Sequence, residues 1–76
     1  MEFAKVRYDS MQDIVKNLSK KSDLGTFHGM DSLCITRVTD FIKALDGEEP
    51  NYEDNAVCTT IRELHIGLSQ LLEVYS

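Results

Sequence analysis

The clearest pattern in the chain is a helical stripe of apolar residues in its last third. From Val57 onward these residues are spaced by four, three, four, three and four positions, which is the spacing of one face of an α-helix. The sequence therefore predicts a long helix between Asn51 and Ser76, with this face buried against an upstream helix. The stripe consists of Val57, Ile61, Leu64, Leu68, Leu71 and Tyr75.

A second helix is predicted upstream, with Asp31 or Ser32 as its cap. Gly47 is expected to end it, and Glu53 and Asp54 are expected to place negative charge at the start of the last helix. Because Thr36, Val38 and Thr39 are β-branched, a strand over residues 33–39 is the alternative. The spacing that favours a helix is that of Cys34, Val38, Phe41 and Leu45.

The first segment also has helical spacing, with apolar residues at Ala4, Tyr8, Met11, Val15 and Leu18. We predict a helix over residues 9–20, capped by Asp9 or Ser10. Residues 1–8 tolerate a helix, a strand or an arm. Residues 21–30 form the clearest loop, with glycines at Gly25 and Gly29, and Phe27 and Met30 are expected to fold back over the helix ends.

These elements predict an all-α fold: one domain over residues 1–76, with three helices of which the last two form a long antiparallel hairpin. Seventy-six residues bury only a small core, so self-association into a homo-oligomer is expected. Ile66 supports this expectation because it lies opposite the main stripe. Gly67, which is costly inside a helix, is expected to let a neighbouring backbone approach closely.

The charge of the chain is unevenly distributed around a net value of −5. Residues 1–21 carry five basic and three acidic groups, whereas residues 22–76 carry three basic and ten acidic groups. Polymeric nucleic acid is therefore an unlikely partner, because binding it requires clustered cations. A small anionic ligand held by a few N-terminal cations remains compatible with this distribution.

No catalytic, metal or cofactor signature occurs in the sequence. His28 and His65 have no partners at metal-ligand spacing; His65 is expected to flank the packed stripe, and His28 to be a loop residue. Cys34 and Cys58 fall on apolar faces, and helix geometry separates them too far for a disulfide. The chain shows neither a signal peptide nor a membrane span, so a cytoplasmic location is expected.

Three polar residues near the start of the last helix suggest a ligand site. Thr59 and Thr60 carry hydroxyl groups that can donate to a phosphate, and Arg62 supplies a fork-shaped cation suited to phosphate oxygens. The alternative is an ordinary exposed helix surface, in which a threonine hydroxyl bonds an upstream carbonyl. The sequence leaves both interpretations open.

The run Ala56-Val-Cys-Thr-Thr-Ile-Arg-Glu-Leu resembles the second hairpin helix of a family of small helical phage proteins. That family, of the anti-CBASS type, sequesters cyclic nucleotide messengers in an oligomer within the host cytoplasm. The resemblance implies that Tyr8 stacks on a base, that Lys20 or Lys21 supplies the cation, and that Thr59, Thr60 and Arg62 add donors. Asn55 stands where the family pattern has an arginine, so a second, larger-ligand site is not implied.

The alternative function is a protein-binding module that occludes a basic surface on a partner. Its contact surface would be a cluster of six carboxylates around the turn between the second and third helices, which we call the acidic turn. The acidic turn consists of Asp40, Asp46, Glu48, Glu49, Glu53 and Asp54.

Overall fold

The structure, a computed structural model that describes residues 2–21 and 29–75, consists of three α-helices. They are α1 (Glu2–Lys21), α2 (Met30–Ala44) and α3 (Asn55–Tyr75). No strand occurs in the two described ranges, which confirms the all-α prediction. Residues 22–28, which include Gly25, Phe27 and His28, lie outside the described residues.

The β-branched residues of α2 are accommodated inside the helix, so the alternative of a strand over residues 33–39 is wrong. The Thr39 hydroxyl donates to the Ile35 carbonyl oxygen at 2.8 Å, one turn back along the helix. Val38 is fully buried. Burial of Val38 favours the helix over its weak intrinsic propensity, and the Thr39 hydroxyl finds its partner within the helix.

Helix α1 begins at Glu2, so residues 1–8 are helical from residue 2 onward. The predicted cap at Asp9 or Ser10 is wrong, because both residues lie in the interior of α1. Ala4 and Tyr8 are buried and continue the stripe of Met11 toward the N-terminus. Tertiary burial of this face extends the helix through a segment whose sequence tolerates several conformations.

The core lies between all three helices, and α1 and α3 share the most extensive contact. Each fully buried aliphatic side chain contributes roughly 1.5–3 kcal/mol of hydrophobic stabilisation. The prediction that the α3 stripe is buried is confirmed at Ile61, Leu68 and Leu71, and Ile66 is 51% exposed on the opposite face. The most deeply buried large side chains are Met11, Leu18, Val38, Ile61 and Leu68.

Backbone conformation rather than a side chain marks the start of α2. Gly29 precedes the helix at a φ of 60°, and no side chain caps it; the predicted cap at Asp31 or Ser32 is therefore wrong. Asp31 lies in the first turn instead, where its charge is favoured by the helix dipole. The Gly29 carbonyl accepts a hydrogen bond from the Leu33 N–H at 3.2 Å, in the first turn of the helix.

Helix α2 ends at Ala44, three residues before the predicted terminator. Asp46 and Gly47 follow with φ values of 51° and 84°, which turn the chain out of the helix. Gly47 adopts this left-handed conformation without the steric cost that a side chain brings. The glycine therefore serves the turn, as the sequence predicted, although the last helical residue comes earlier.

Asp54 caps α3 with its side chain. Its Oδ1 accepts a hydrogen bond from the Ala56 N–H at 2.9 Å, and its carbonyl accepts from the Cys58 N–H at 3.0 Å. No acidic residue lies within the first turn of α3 itself. Glu53 and Asp54 thus place negative charge at the start of α3, as predicted, and Asp54 also caps the helix.

Gly67 marks a close contact between α2 and α3. A Cβ added at this position would lie 3.2 Å from the Cys34 Sγ. The close approach predicted at Gly67 therefore exists, but a side chain makes it and not a backbone. Both cysteines are free thiols.

Candidate functional site

Tyr8 lies on the buried face of α1 and is only 5% exposed. Its ring packs edge-to-face on Phe41, with ring centroids 6.2 Å apart and planes inclined at 71°. Burial, together with the nearby charges of Glu49 and Asp9, raises the pKa of its hydroxyl. In this arrangement neither face of the ring is open for a nucleotide base to stack on.

The part of Tyr8 that reaches the surface lines a shallow cleft of about 150 Å³. Glu48 and Glu49 form part of its rim, together with Gln12 and Ile42. Two carboxylates that line a cleft repel a phosphate group bound in it. The cleft is therefore better suited to a cationic group than to the anionic ligand that Tyr8 was predicted to bind.

Lys5 connects the start of α1 to the acidic turn. Its Nζ lies 3.1 Å from Oε1 of Glu49 and 4.0 Å from Oδ2 of Asp9. The hydrogen bond to Glu49 raises the pKa of Lys5, and the charges of Asp9 and Glu49 act in the same direction. All three side chains are exposed, so this contact orients the turn more than it stabilises the fold.

Tyr52 lies beneath this ion pair, and the sequence gave no indication of its role. Its hydroxyl oxygen is buried and lacks hydrogen-bond geometry with any described group, although the Glu49 carboxylate is close enough to act on it. Burial, followed by the proximity of Glu49, raises the pKa of Tyr52 to about 12. Its carbonyl accepts a hydrogen bond from the Cys58 thiol at 3.0 Å, which joins the turn to α3.

The predicted cationic residues are far from Tyr8. Lys20 is exposed near the opposite end of α1, about 18 Å along the axis from Tyr8 at a rise of about 1.5 Å per residue. Lys21 is the last residue of α1, and its side chain lies outside the described part of the structure. A single protomer therefore does not bring Tyr8 and Lys20 to one ligand.

Thr59, Thr60 and Arg62 are exposed on α3. The Thr60 hydroxyl donates to the Ala56 carbonyl at 2.9 Å, as in the alternative of an ordinary helix surface. Thr59 and Arg62 are three residues apart and thus neighbours on the helix. Arg62 has no ion pair within the described residues, so its guanidinium is open to an external anion.

The five predicted site residues whose side chains the structure describes thus fall on three separate surfaces. Tyr8 faces the core and the acidic turn, Lys20 lies at the far end of α1, and the α3 group lies on an outer face. Lys16 and Lys43, which the sequence did not single out, border a groove between α1 and α2. The sequence signal that could have identified them is weak, because single lysines one turn beyond a glutamine or threonine are common on helices.

His65 forms a contact between α1 and α3. Its Nε2 lies 3.3 Å from the Ser10 Oγ, which fits the predicted role of a residue flanking the packed stripe. No group of three potential metal ligands occurs in the part of the chain that the structure describes. Among the helices described, none combines the length and the apolar character that crossing a membrane requires.

Comparisons with known proteins leave the site to be interpreted from its own geometry. The chain matches no protein-family model, no curated protein and no solved structure.

Proposed function

We propose that this protein is a non-catalytic, cytoplasmic binding protein that docks its acidic turn on a basic surface of a partner protein. One observation carries the proposal. All six carboxylates of the acidic turn are exposed, and within the described residues only Glu49 among them has a cationic partner, Lys5. The uncompensated charge creates a negative potential that attracts and orients a positive surface.

The acidic turn is held in a defined conformation. The Asn51 Oδ1 accepts the Glu53 N–H at 3.1 Å, and Asp54 caps α3. Pro50 is buried beneath the turn, and Lys5 holds Glu49 from α1. A preorganised surface loses little conformational entropy on binding, which favours affinity.

Docking would cover the basic surface of the partner and exclude its natural anionic ligand. The exposed carboxylates lie in solvent, where salt screens them over a Debye length of about 8–10 Å. Binding should therefore weaken strongly as the ionic strength rises. Added salt should lower the association rate more than it changes the dissociation rate, because long-range attraction acts while the two proteins approach each other.

The test compares the proteins captured by three purified forms of this chain at low salt. We expect the wild type and a Glu63→Lys control on α3 to capture the same basic protein, and we expect its binding to weaken as the salt concentration rises. The double variant Glu48→Lys/Glu53→Lys should lose it, and titration calorimetry with that purified protein should give the same order. Equal retention by the turn variant would show that the acidic turn is not the docking surface.

The second candidate function is sequestration of a cyclic di- or oligonucleotide by a homo-oligomer. The observation that favours it is the exposed pair Thr59 and Arg62, one turn apart on α3, with the guanidinium unpaired within the described residues. Because Lys20 and Tyr8 lie on other surfaces of the same chain, such a site would have to combine groups from several protomers. Polymeric nucleic acid would be repelled by the acidic turn.

Thermal unfolding with a panel of cyclic di- and trinucleotides tests this candidate. At a hundredfold excess over the dissociation constant a ligand adds about 2.7 kcal/mol of stability, which for so small a domain shifts the midpoint by roughly 10 °C or more. We expect Arg62→Gln to abolish the shift and Arg37→Gln, an equally exposed arginine on α2, to preserve it. The absence of a shift with every nucleotide would exclude the candidate.

We also propose that α2 and α3 form the long antiparallel hairpin expected from the sequence. A groove between them is lined by Leu33, Cys34 and Arg37 on one side and by Glu63, Leu64 and Gly67 on the other. Nuclear Overhauser contacts between these two sets test the arrangement. In an antiparallel pair, contacts at higher residue numbers on α2 accompany lower residue numbers on α3, whereas a parallel pair gives the reverse.

A further inference from the structure

A second groove, between α1 and α2, combines an apolar floor with a polar rim. Its volume is about 280 Å³, just below the roughly 300–1,000 Å³ typical of small-molecule sites. Val15 and Ile42 pack on the core and form its floor. The residues that line it are Gln12, Val15 and Lys16 on α1, and Thr39, Ile42 and Lys43 on α2.

The two lysines give this groove a positive rim. Lys16 and Lys43 are exposed, and within the described residues every ion pair involves Lys5. Asp13 and Asp40 lie one turn before the two lysines, beyond ion-pair distance. The ammonium groups are therefore available to an external anion, while their aliphatic stems extend the apolar walls.

The remaining polar groups of the groove are compatible with one anionic group. Thr39 uses its hydroxyl as a donor to the Ile35 carbonyl, so the donors left are the Gln12 amide and the two ammonium groups. Lysine side chains are flexible point-charge donors and can converge on a single phosphate, sulfate or carboxylate. The floor offers no polar partner, so the rest of the ligand must be apolar.

We propose that this groove binds a soluble amphipathic anion, with its charged group between Lys16 and Lys43 and its apolar body on Val15 and Ile42. A membrane surface is a poorer partner. The adjacent cleft shares Gln12 and Ile42 with the groove but is lined by Glu48 and Glu49, and an anionic bilayer would be repelled there. The site adjoins the acidic turn but does not rest on the function proposed for it.

Titration calorimetry of the full chain with octyl phosphate tests the proposal. We expect saturable binding of one molecule per chain, with much weaker binding of octanol, which lacks the charge, and of inorganic phosphate, which lacks the apolar body. In nuclear magnetic resonance spectra the shifts should be largest at Val15 and Ile42. Equal binding of octanol, or shifts centred elsewhere, would overturn the proposal.

Some variants remove the charge of a lysine but keep its aliphatic stem. They distinguish binding in the groove from general electrostatic attraction of the anion. Lys16→Met and Lys43→Met should each weaken octyl phosphate binding about tenfold, the effect of losing one charge-assisted hydrogen bond. The control is Arg37→Met, which removes one exposed positive charge from α2 outside the groove and should leave the affinity unchanged. Equal weakening by all three variants, or none by the first two, would contradict the assignment.

Two further measurements keep the outcome unambiguous. Thermal unfolding should show that the three variants, all at exposed positions, fold as the wild type does, so that lost binding reports the groove. Vesicles containing anionic phospholipid should bind far more weakly than octyl phosphate. Vesicle binding that is equally strong and equally sensitive to Lys16→Met would assign the groove to a lipid surface and overturn the choice of a soluble ligand.

Discussion

Tyr52 shows how one residue couples the conformation of the acidic turn to protonation. Its hydroxyl is buried without a hydrogen-bond partner among the described groups, beside a carboxylate that is itself held by Lys5. An unsatisfied buried hydroxyl costs about 1–3 kcal/mol. The turn therefore keeps its shape despite Tyr52, through the Lys5 contact and the packing of the ring, and not because of the hydroxyl.

The raised pKa of Tyr52 predicts a loss of stability at high pH. The unfolded side chain releases its proton near pH 10, whereas the folded one retains it to about pH 12. The unfolded state thus binds fewer protons than the folded state in this range. The free energy of unfolding should therefore keep its full value below about pH 10 and fall between about pH 10 and 12. Denaturant unfolding at a series of pH values measures this slope.

Tyr52→Phe is the control for this pH dependence. It should reduce the slope without removing it, because the pKa values of Tyr8 and Lys5 are also raised. At neutral pH it should change the free energy of unfolding by no more than about 1 kcal/mol, since the buried hydroxyl lies outside hydrogen-bond geometry but beside the Glu49 carboxylate. An unchanged slope would show that the Tyr52 hydroxyl titrates normally in the folded protein.

At the residue scale, sequence reasoning placed Tyr8 in two incompatible roles. Its spacing from Ala4 and Met11 predicted a buried face, and the structure confirms that burial. Its aromatic ring also suggested a stacking platform, but a ring that fills the core of one chain cannot at the same time stack on a ligand at its surface. The helical spacing was the stronger signal, because burying a large ring in the core gives a more favourable free energy than leaving it exposed to solvent.

At the element scale, helix interiors were predicted better than helix ends. The α3 stripe from Val57 to Leu71 is long and regular, so its period was decisive. The start of α2 depends on the positive φ of Gly29, which glycine permits but does not require. The start of α1 depends on tertiary burial of Ala4 and Tyr8, which lie on the predicted helical stripe but in a segment that also tolerates other conformations.

Asp54 is the side chain expected to matter most for the start of α3. Asp54→Ala removes the hydrogen bond to the Ala56 N–H and should lower the free energy of unfolding by about 1 kcal/mol. Asp54→Asn keeps the acceptor and should retain most of the stability. Chemical denaturation of the two variants checks the prediction, and equal losses would indicate that charge rather than capping is responsible.

Substitutions at Gly67 on α3 and Cys34 on α2 are predicted to be coupled in their effects on the free energy of unfolding. Glycine in a helix interior costs about 1 kcal/mol relative to alanine, so Gly67→Ala should be stabilising if space allowed. The new Cβ would lie 3.2 Å from the Cys34 Sγ, so we expect a smaller gain in the wild type than in a Cys34→Ala background. A double-mutant cycle of unfolding free energies measures the coupling, and strict additivity would contradict the contact.

At the scale of the whole molecule, the stability rests on the shared core of three helices. Ile61 is fully buried and Ile66 is 51% exposed, although both lie on α3. We expect Ile61→Ala to cost about 2–5 kcal/mol and Ile66→Ala, the same chemical change, to cost almost nothing. Thermal and denaturant unfolding compare the two, and similar losses would indicate that Ile66 is buried in an oligomer.

The molecular architecture was only partly accessible from sequence. Three amphipathic segments sufficed to predict three helices, because each apolar face must be buried. The partner of each face was not encoded locally: the dominance of the α1–α3 contact arises from side chains distant in sequence. The same holds for the grooves, since Lys16 and Lys43 become neighbours only when α1 and α2 pack.

The dominance of the α1–α3 contact also has a consequence for biosynthesis. Residues 22–54 separate the two helices, so α1 leaves the ribosome well before its main partner has been translated. Until α3 follows, the apolar face of α1 with Met11 and Leu18 has little to cover it, and exposed apolar surface of this kind attracts chaperones and promotes aggregation. The core should therefore close late, and slowing translation between α2 and α3 should lengthen the time for which the nascent chain is sensitive to proteases.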